Sequence, residues 1–443
     1  MKRTLPLLAL CLGLTLTAWA QPTTGDVLIQ NGTVLTVTNG TLENTDVLIR
    51  DGKITRIGQG LNAPNGVETV DATGLYVMPG IIDAHAHIAL SAVNEATSPS
   101  TAEVTMEDVT NPYQVAIYRA LAGGVTVSHT MHGSANVIGG QNETIKHRYG
   151  NTNPDAMRFD GAPRTIKFAL GENPTRVHGK RGGGSGKALR PSSRMGVEAV
   201  LRAAFTEGQR YMAAWDQYEQ ERQRNPRAVP PEYNLRMETM ADILRGEILI
   251  HCHSYRADEI LMLMRVLEEF GINKVTFQHG NEAYKVAPEL AAFGAHASVF
   301  ADWWAYKFEV YYSTAFNAAI LTRNGVVTSI NSDSGELIRH LYHEAGKSQK
   351  YGQLTDDEAL ALITINPAVQ LGVEDRVGSI EEGKDGDIAI FDGHPLSIYA
   401  VPMMTFVDGV RYFDRNADAD DMRIQVDPAA AVGGGYDREE RHH

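Results

Sequence analysis

The spacing of apolar and polar positions changes character along the chain. Between Val27 and Val77 apolar and polar residues alternate in short runs, broken by Asn31-Gly32, Asn39-Gly40, Asp51-Gly52 and Asn65-Gly66. A period of two marks half-buried strands, and Asn-Gly or Asp-Gly pairs favour the left-handed backbone of tight hairpins, so this region predicts a small antiparallel sheet. The stretches GSIEEGKDGDIAIFDGHP and MTFVDGVRYF, near the other end, repeat the same strand and turn grammar. Residues 26–78 and 376–416 are therefore expected to form one composite β-sandwich, with the rest inserted between its halves.

From 79 to 375 β-branched apolar runs alternate with helical patterns, the signature of repeated βα units. Seven candidate strands end at His87, Thr130, Ala169, His253, His279, Asp302 and Asp333, and an eighth is expected between Asn142 and Arg164. Eight such units make a (β/α)8 TIM-type barrel, an α/β fold whose chemistry sits at the C-terminal ends of its strands. The longest helical pattern, Arg194 to Arg222, carries Val197, Val200, Leu201, Ala204, Met212 and Trp215 at helical spacing, and these are expected in the core.

The loop before that helix, HGKRGGGSGKALRPSSR, is glycine-rich and basic. A phosphate-binding P-loop is excluded, because Arg181 stands where the first glycine is needed and Ala188 where Ser or Thr is needed. Two readings remain: a mobile loop over the barrel mouth, or a lid whose Lys180, Arg181 or Arg190 meets an anionic substrate group.

At the start, Lys2 and Arg3 precede an apolar segment from Leu5 to Leu16, and Ala18-Trp19-Ala20 offers small residues before a cut ahead of Gln21. This predicts a signal peptide over 1–20 and a secreted or periplasmic protein. The segment is too short for a stable membrane anchor, so no membrane insertion is expected after cleavage. Leu10 before Cys11 is not the small residue that lipid attachment needs. Residues 417–443 read as a flexible tail ending in His442-His443.

The 443 residues are 43% hydrophobic and 21% charged, enough apolar material for a large core. Removing Lys2 and Arg3 leaves 38 basic residues of 40 against 54 acidic ones, a balance of −16. Such a surface repels phosphate backbones and argues against a nucleic-acid partner. Cys252 is the lone cysteine after Cys11 is removed, so no internal disulfide is possible. The sequons at Asn31, Asn39 and Asn142 matter in a host that glycosylates exported proteins. Nothing in the pattern sets an oligomeric state.

The chemistry-bearing residues cluster at the strand ends. In MPGIIDAHAHIAL, His85 and His87 are two apart on an extended strand, so both imidazoles lie on one face and can reach one metal ion. A bare His-x-His is also found as two surface histidines, so its frame matters. His251 and His279 end adjacent strands, where they can hold a second metal or serve as hydrogen-bonded core histidines. His253 shares the face of His251. Asp333, in SINSDSGE, can ligate a metal and move a proton, or can cap the helix that begins after it.

The run MPGIIDAHAH, preceded by VLIQNGTVLT, DVLIRDGKITRIG and VETVDATGLYVMPG, resembles the start of metal-dependent amidohydrolases of the imidazolonepropionase and metallo-dependent prolidase type. The resemblance extends over nearly all of the chain after residue 20. It implies that His85, His87, His251, His279 and Asp333 are metal ligands. It also implies that Lys167, in TIKFALGENP, adds carbon dioxide, its carbamate bridging two divalent cations, zinc by preference, though manganese, nickel or iron suit such ligands. The alternative for Lys167 is an ion pair with Asp333 or Glu172 beside a single metal.

On this resemblance Asp333 and Lys167 are catalytic, and the reaction is hydrolysis of an amide (C–N) bond by a metal-bridging hydroxide. Substrates would be a dipeptide, an N-acyl amino acid or a cyclic amide. Strand-end residues His129, His132, His253, Tyr255, Trp303 and Lys307, together with Gln141 and Lys146, are expected to face the substrate, with His253 or Tyr255 polarising the scissile carbonyl. One rival is a mononuclear deaminase of a purine or imidazole ring. Such deaminases carry a glutamate where this chain has Ser254. The other rival is a non-enzymatic surface or binding protein on the same barrel.

Overall fold

Asp51 and Gly52 both take left-handed backbone, φ 50° and 76°, and close a tight hairpin between β2 (Thr41–Arg50) and β3 (Lys53–Gly58), as an Asp-Gly pair predicts. Asn31 also has positive φ, 61°, yet it makes no hairpin. It is a bulge inside β1 (Val27–Leu35), where the register against β2 slips between Ile29 and Gly32. A Cβ on Gly32 would come within 2.7 Å of Val77, which explains the glycine. The structure, a computed structural model, describes residues 24–180, 190–304 and 306–417. The leader, the glycines of the expected lid with Arg181, and the tail from 418 lie outside the described residues.

β1 to β3 join β4 (Glu68–Asp71) and β5 (Tyr76–Pro79) from the first half of the chain, and β14 (Ile388–Phe391), β15 (Pro402–Val407) and β16 (Val410–Asp414) from the other end. They form one continuous sheet of order β16-β15-β14-β5-β1-β2-β3, with β4 also on β1. The expected sandwich is thus a single sheet curled on itself. β3 meets the segment before β14 through bonds from Ile54 N–H to Lys384 O and from Gly386 N–H to Gly52 O. Val27, Ile49, Ile54, Ile388 and Phe406 from both halves share its apolar core.

Between these halves run eight strands hydrogen-bonded in chain order. They are β6 (Ile81–Ala86), β7 (Val125–Thr130), β8 (Ile138–Lys146), β9 (Arg164–Ala169), β10 (Ile248–Ser254), β11 (Val275–His279), β12 (His296–Val299) and β13 (Thr328–Ile330). The structure is an α/β barrel, with one departure from the expected βα repeat. β8 pairs antiparallel with both β7 and β9, and it begins at Ile138, earlier than expected. The short connection between Thr130 and Ile138 cannot hold the helical crossover that a parallel neighbour requires.

Reversing β8 sends Lys146 to the end of the barrel away from the candidate site. Its ammonium is fully buried against Asp385 at 2.7 Å, Asp387 at 3.1 Å and Asp408. Lys146 therefore ties barrel to sheet and does not face a substrate. Gln141, on the same strand, bonds Arg164 at 3.0 Å instead of facing the site.

The helix Arg194–Arg222 forms with the expected bounds, capped by Ser193 Oγ, which accepts from Gly196 N–H. Its buried residues are Val197, Leu201, Ala204, Phe205 and Gly208. Met212 and Trp215, expected in the core, are only partly covered, because no residue of this helix beyond Gly208 is buried against the barrel. Among the described residues no helix is long and apolar enough to cross a membrane.

Candidate metal centre

Strand ends β6, β9, β10 and β11, with the residue three beyond β13, deliver the site. His85, Lys167 and His279 are all buried, none more than 1% exposed. Two of the residues have left-handed backbone: His279 with φ 69° and Asp333 with φ 47°. For a non-glycine residue this conformation is strained, and it persists where the surroundings over-determine it. At His279 it has a visible use. Gln278 already faces into the barrel, and the reversal lets its neighbour face in as well, so two successive side chains reach the centre.

The imidazole orientations are set by what lies behind them. His87 Nδ1 is 2.9 Å from Met131 O, an acceptor, so Nδ1 carries the proton. His85 Nδ1 is 3.2 Å from Gln278 Oε1. The Gln278 amide is oriented by its other end, since Nε2 donates to Ala84 O at 3.3 Å and to His251 Nδ1 at 3.0 Å. Both Nε2 lone pairs are therefore left facing each other, 3.3 Å apart. Asp333 Oδ1 lies 3.3 Å from the first and 3.1 Å from the second, and Oδ2 lies 3.6 Å from His279 Nε2. His85, His279 and Asp333 can each offer a ligand atom within 4.8 Å of the others. Two imidazole nitrogens and a third nearby converging beside one carboxylate form a donor set that fits a divalent metal.

Lys167 Nζ is 3.0 Å from His85 Nε2. Burial pushes its pKa down to about 8, against the upward pull of Asp333 and Cys252. An amine held this way is far closer to its neutral, nucleophilic form than a surface lysine. Asp333 is not the helix cap that its position allowed. The cap of the short helix Leu337–His340 is Glu336, and Ser334 Oγ accepts from Glu336 and Leu337 N–H at 3.2 Å just before it.

The structure reverses the expected roles of the two histidines on β10. His253, not His251, stands beside His279, with ring centroids 4.8 Å apart. His251 lies one layer lower, its ring 4.5 Å from that of His129 and its Nδ1 accepting from Gln278. Its Nε2 has no hydrogen-bond partner among the described residues. Same-face residues on a strand differ in height by about 7 Å; the register sets His251 opposite Lys167 and His253 opposite Ala169, one pleat nearer the mouth.

His129 and His132 do not face a substrate either. His129 is buried in the barrel, with Nε2 2.7 Å from Thr165 Oγ1 and Nδ1 3.2 Å from Ala84 O. Burial pushes its pKa down to about 3. His132 pins the loop after β6: its Nε2 accepts from Glu95 N–H at 2.9 Å, and its Nδ1 donates to Gly133 O at 2.9 Å. Both nitrogens of each ring are thereby engaged.

Tyr255, Trp303 and Lys307 do come to the rim of the site. His279, Phe300 and Trp303 stack in sequence, with centroids 4.8 Å and 4.5 Å apart. Tyr255 also stacks on His279, at 5.6 Å, and meets Tyr306 hydroxyl to hydroxyl at 3.0 Å. Lys307 Nζ lies 4.3 Å above the Tyr255 ring, 3.2 Å from Asn173 Oδ1 and 3.7 Å from Glu172. Burial pushes its pKa down, with Glu309 and Glu172 opposing. Asn173 Nδ2 in turn lies 3.3 Å from His253 Nε2. The residues that sequence reasoning missed are Gln278, Asn173 and Asp83. A glutamine one position before a strand-end histidine carries no signal of its own, because its role depends on a bond to another strand.

The fold matches known proteins. A solved amidohydrolase from Thermotoga maritima is 36% identical, covers 88% of this chain and 100% of its own, and superposes with a TM-score of 0.80. The chain belongs to the amidohydrolase family. The family model of that name matches residues 308–421. This amidohydrolase is also 31% identical to the amidohydrolase tasK of Hapsidospora irregularis, over 83% of this chain but 40% of the other. It is 44% identical over 63 residues to a dihydroorotase of Geobacter metallireducens, 15% of that protein's length. The chain thus spans less than half of the curated relatives it matches.

Proposed function

We propose that this amidohydrolase cleaves an amide C–N bond in a small molecule or short peptide, using divalent metal held at the barrel mouth. The observation that carries the reading is the pair of His85 and His87 Nε2 lone pairs, 3.3 Å apart and backed by fixed Nδ1 partners, with Asp333 alongside. His85, His87, His253, His279 and Asp333 would hold the metal, and Lys167 as a carbamate would help to hold a second ion. When bound, the metal acidifies a water and polarises the scissile carbonyl.

The chain's own residues supply the rest. The Asp333 carboxylate takes the proton of the attacking water and passes it to the leaving nitrogen. Tyr255 and Trp303 wall the site off from bulk water on the His279 side, and Lys307 offers a positive charge at its rim. The relatives named amidohydrolase and dihydroorotase support a C–N bond as the target. Zinc suits the nitrogen-rich donor set, and two ions per chain follow if Lys167 is carbamylated. The leader pattern from Lys2 to Ala20 supports export, which N-terminal sequencing of the purified native protein tests.

Metal content and hydrolysis decide the main reading. Elemental analysis is expected to find one to two equivalents of divalent metal. A panel of dipeptides, N-acyl amino acids and cyclic amides is expected to include a substrate whose turnover chelation and Asp333→Asn both abolish. Protein without metal, or turnover indifferent to both treatments, overturns it.

A further inference from the structure

The eight staves form a hydrogen-bonded path from β13 to β6, but the path does not close. β6 and β13 share no ladder. Instead of pairing with each other, Ile82 and Ile330 both donate to a later segment, Ile82 N–H to Ile363 O and Ile330 N–H to Leu362 O, both at 2.9 Å. At the upper end, among the described residues, one backbone bond crosses the seam: Asp333 N–H to His85 O at 3.1 Å. Yet His85, His87 and Asp333, which stand on opposite sides of this gap, must meet within a few tenths of an ångström.

Asp83 spans it. Its carboxylate is fully buried on β6, two residues before His85. Oδ1 accepts from His85 N–H at 3.1 Å on its own stave and from Ser332 N–H at 3.2 Å across the seam. Oδ2 accepts the Ser332 hydroxyl, and Ser332 Oγ accepts Ser334 N–H at 3.2 Å. Asp333 thus sits between two residues that are both tied down, one directly and one through Ser332. This is the kind of over-determination that a left-handed aspartate requires. A carboxylate is suited to the task because both oxygens accept, whereas an asparagine would turn an NH2 group toward one set of donors.

We infer that Asp83 is a positioning residue: it replaces the missing ladder between the first and last staves and sets Asp333 in register with His85 and His87. The inference rests on the proposed centre for its use, but the clamp itself exists without metal and is measured without it.

The test is amide hydrogen exchange on the metal-free full chain, with cobalt(II) binding as the second readout. In Asp83→Asn, exchange at Ser332 and Asp333 is expected to speed up roughly tenfold or more, while amides of β10 and β11 keep their protection. Ser332→Ala is expected to move the same amides less, and Ser332→Thr to restore them. Affinity for cobalt(II) is expected to fall by about 10–100-fold in Asp83→Asn, and in an Asp333→Asn background the same change is expected to cost much less. Unchanged exchange at Asp333, or acceleration spread evenly over the barrel, overturns the inference. If Asp83→Asn does not fold, Ser332→Ala decides by the same criterion. An unaltered protein that binds no cobalt(II) overturns the proposed metal centre, while exchange still decides the clamp.

Discussion

The rings of His253 and His279 lie 4.8 Å apart at 75° on adjacent staves, while His251, two residues earlier than His253, packs against His129. The two β10 histidines should therefore separate in experiment. His253→Ala is expected to lower bound metal and to abolish turnover with little change in the melting temperature of metal-free protein. His251→Ala is expected to retain metal and to lose stability, on the order of 1–3 kcal/mol, by removing a buried hydrogen-bonded ring. Metal analysis beside thermal melts distinguishes them, and the opposite pattern would return His251 to the centre.

Gln278 touches no proposed ligand atom, yet it chooses which nitrogen of His85 is protonated. Gln278→Leu keeps the volume roughly constant and removes that choice. Metal affinity is expected to fall by about 10–100-fold, measured by competition with a chelating dye. An unchanged affinity would show that the tautomer is set elsewhere.

Lys167 carries a chemical prediction. Protein stripped of metal and carbon dioxide is expected to regain activity faster when metal is restored with bicarbonate than without it. Lys167→Ala is expected to lose at least about 100-fold in turnover and to recover part of it with a short carboxylic acid that supplies the missing oxygens. Equal reactivation with and without bicarbonate would point to a single metal and an unmodified lysine.

The barrel-to-sheet joint predicts an acid response. Against burial, which raises it, Lys146, Arg376 and Lys53 hold the Asp385 carboxyl down to about 2. A carboxylate with a depressed pKa binds fewer protons in the folded than in the unfolded chain. Its contribution, about 2 kcal/mol, is present above pH 4 and is lost as pH falls from about 4 to about 2. Asp385→Asn is expected to flatten the fall of stability in that window, read from urea melts at successive pH values. Lys146→Met should be more damaging at neutral pH, by about 3–5 kcal/mol, since it leaves Asp387 and Asp408 buried beside one another without that cation.

Much of the site was legible along the chain because barrel strands are short and end in polar residues. The His85 and His87 pair, Lys167, His279 and Asp333 all stand at strand ends, and the structure gathers them. The errors share a cause. Asn31-Gly32 has the residues of a hairpin and makes a bulge, since left-handed backbone serves either purpose and the partner strand decides. Lys146 was expected at the mouth and is at the base, because the orientation of β8 depends on the length of its connection to β7.

By itself, the order of residues determined the period of each segment and the strand to which each histidine belongs. Those are local properties, set by the geometry of one or two neighbours. The tertiary structure alone decided heights and joins: His253 over His251, Gln278 behind His85, Asp83 across the open seam. Height in a barrel is the stagger between strands, and stagger is set by pairing between residues far apart in the chain.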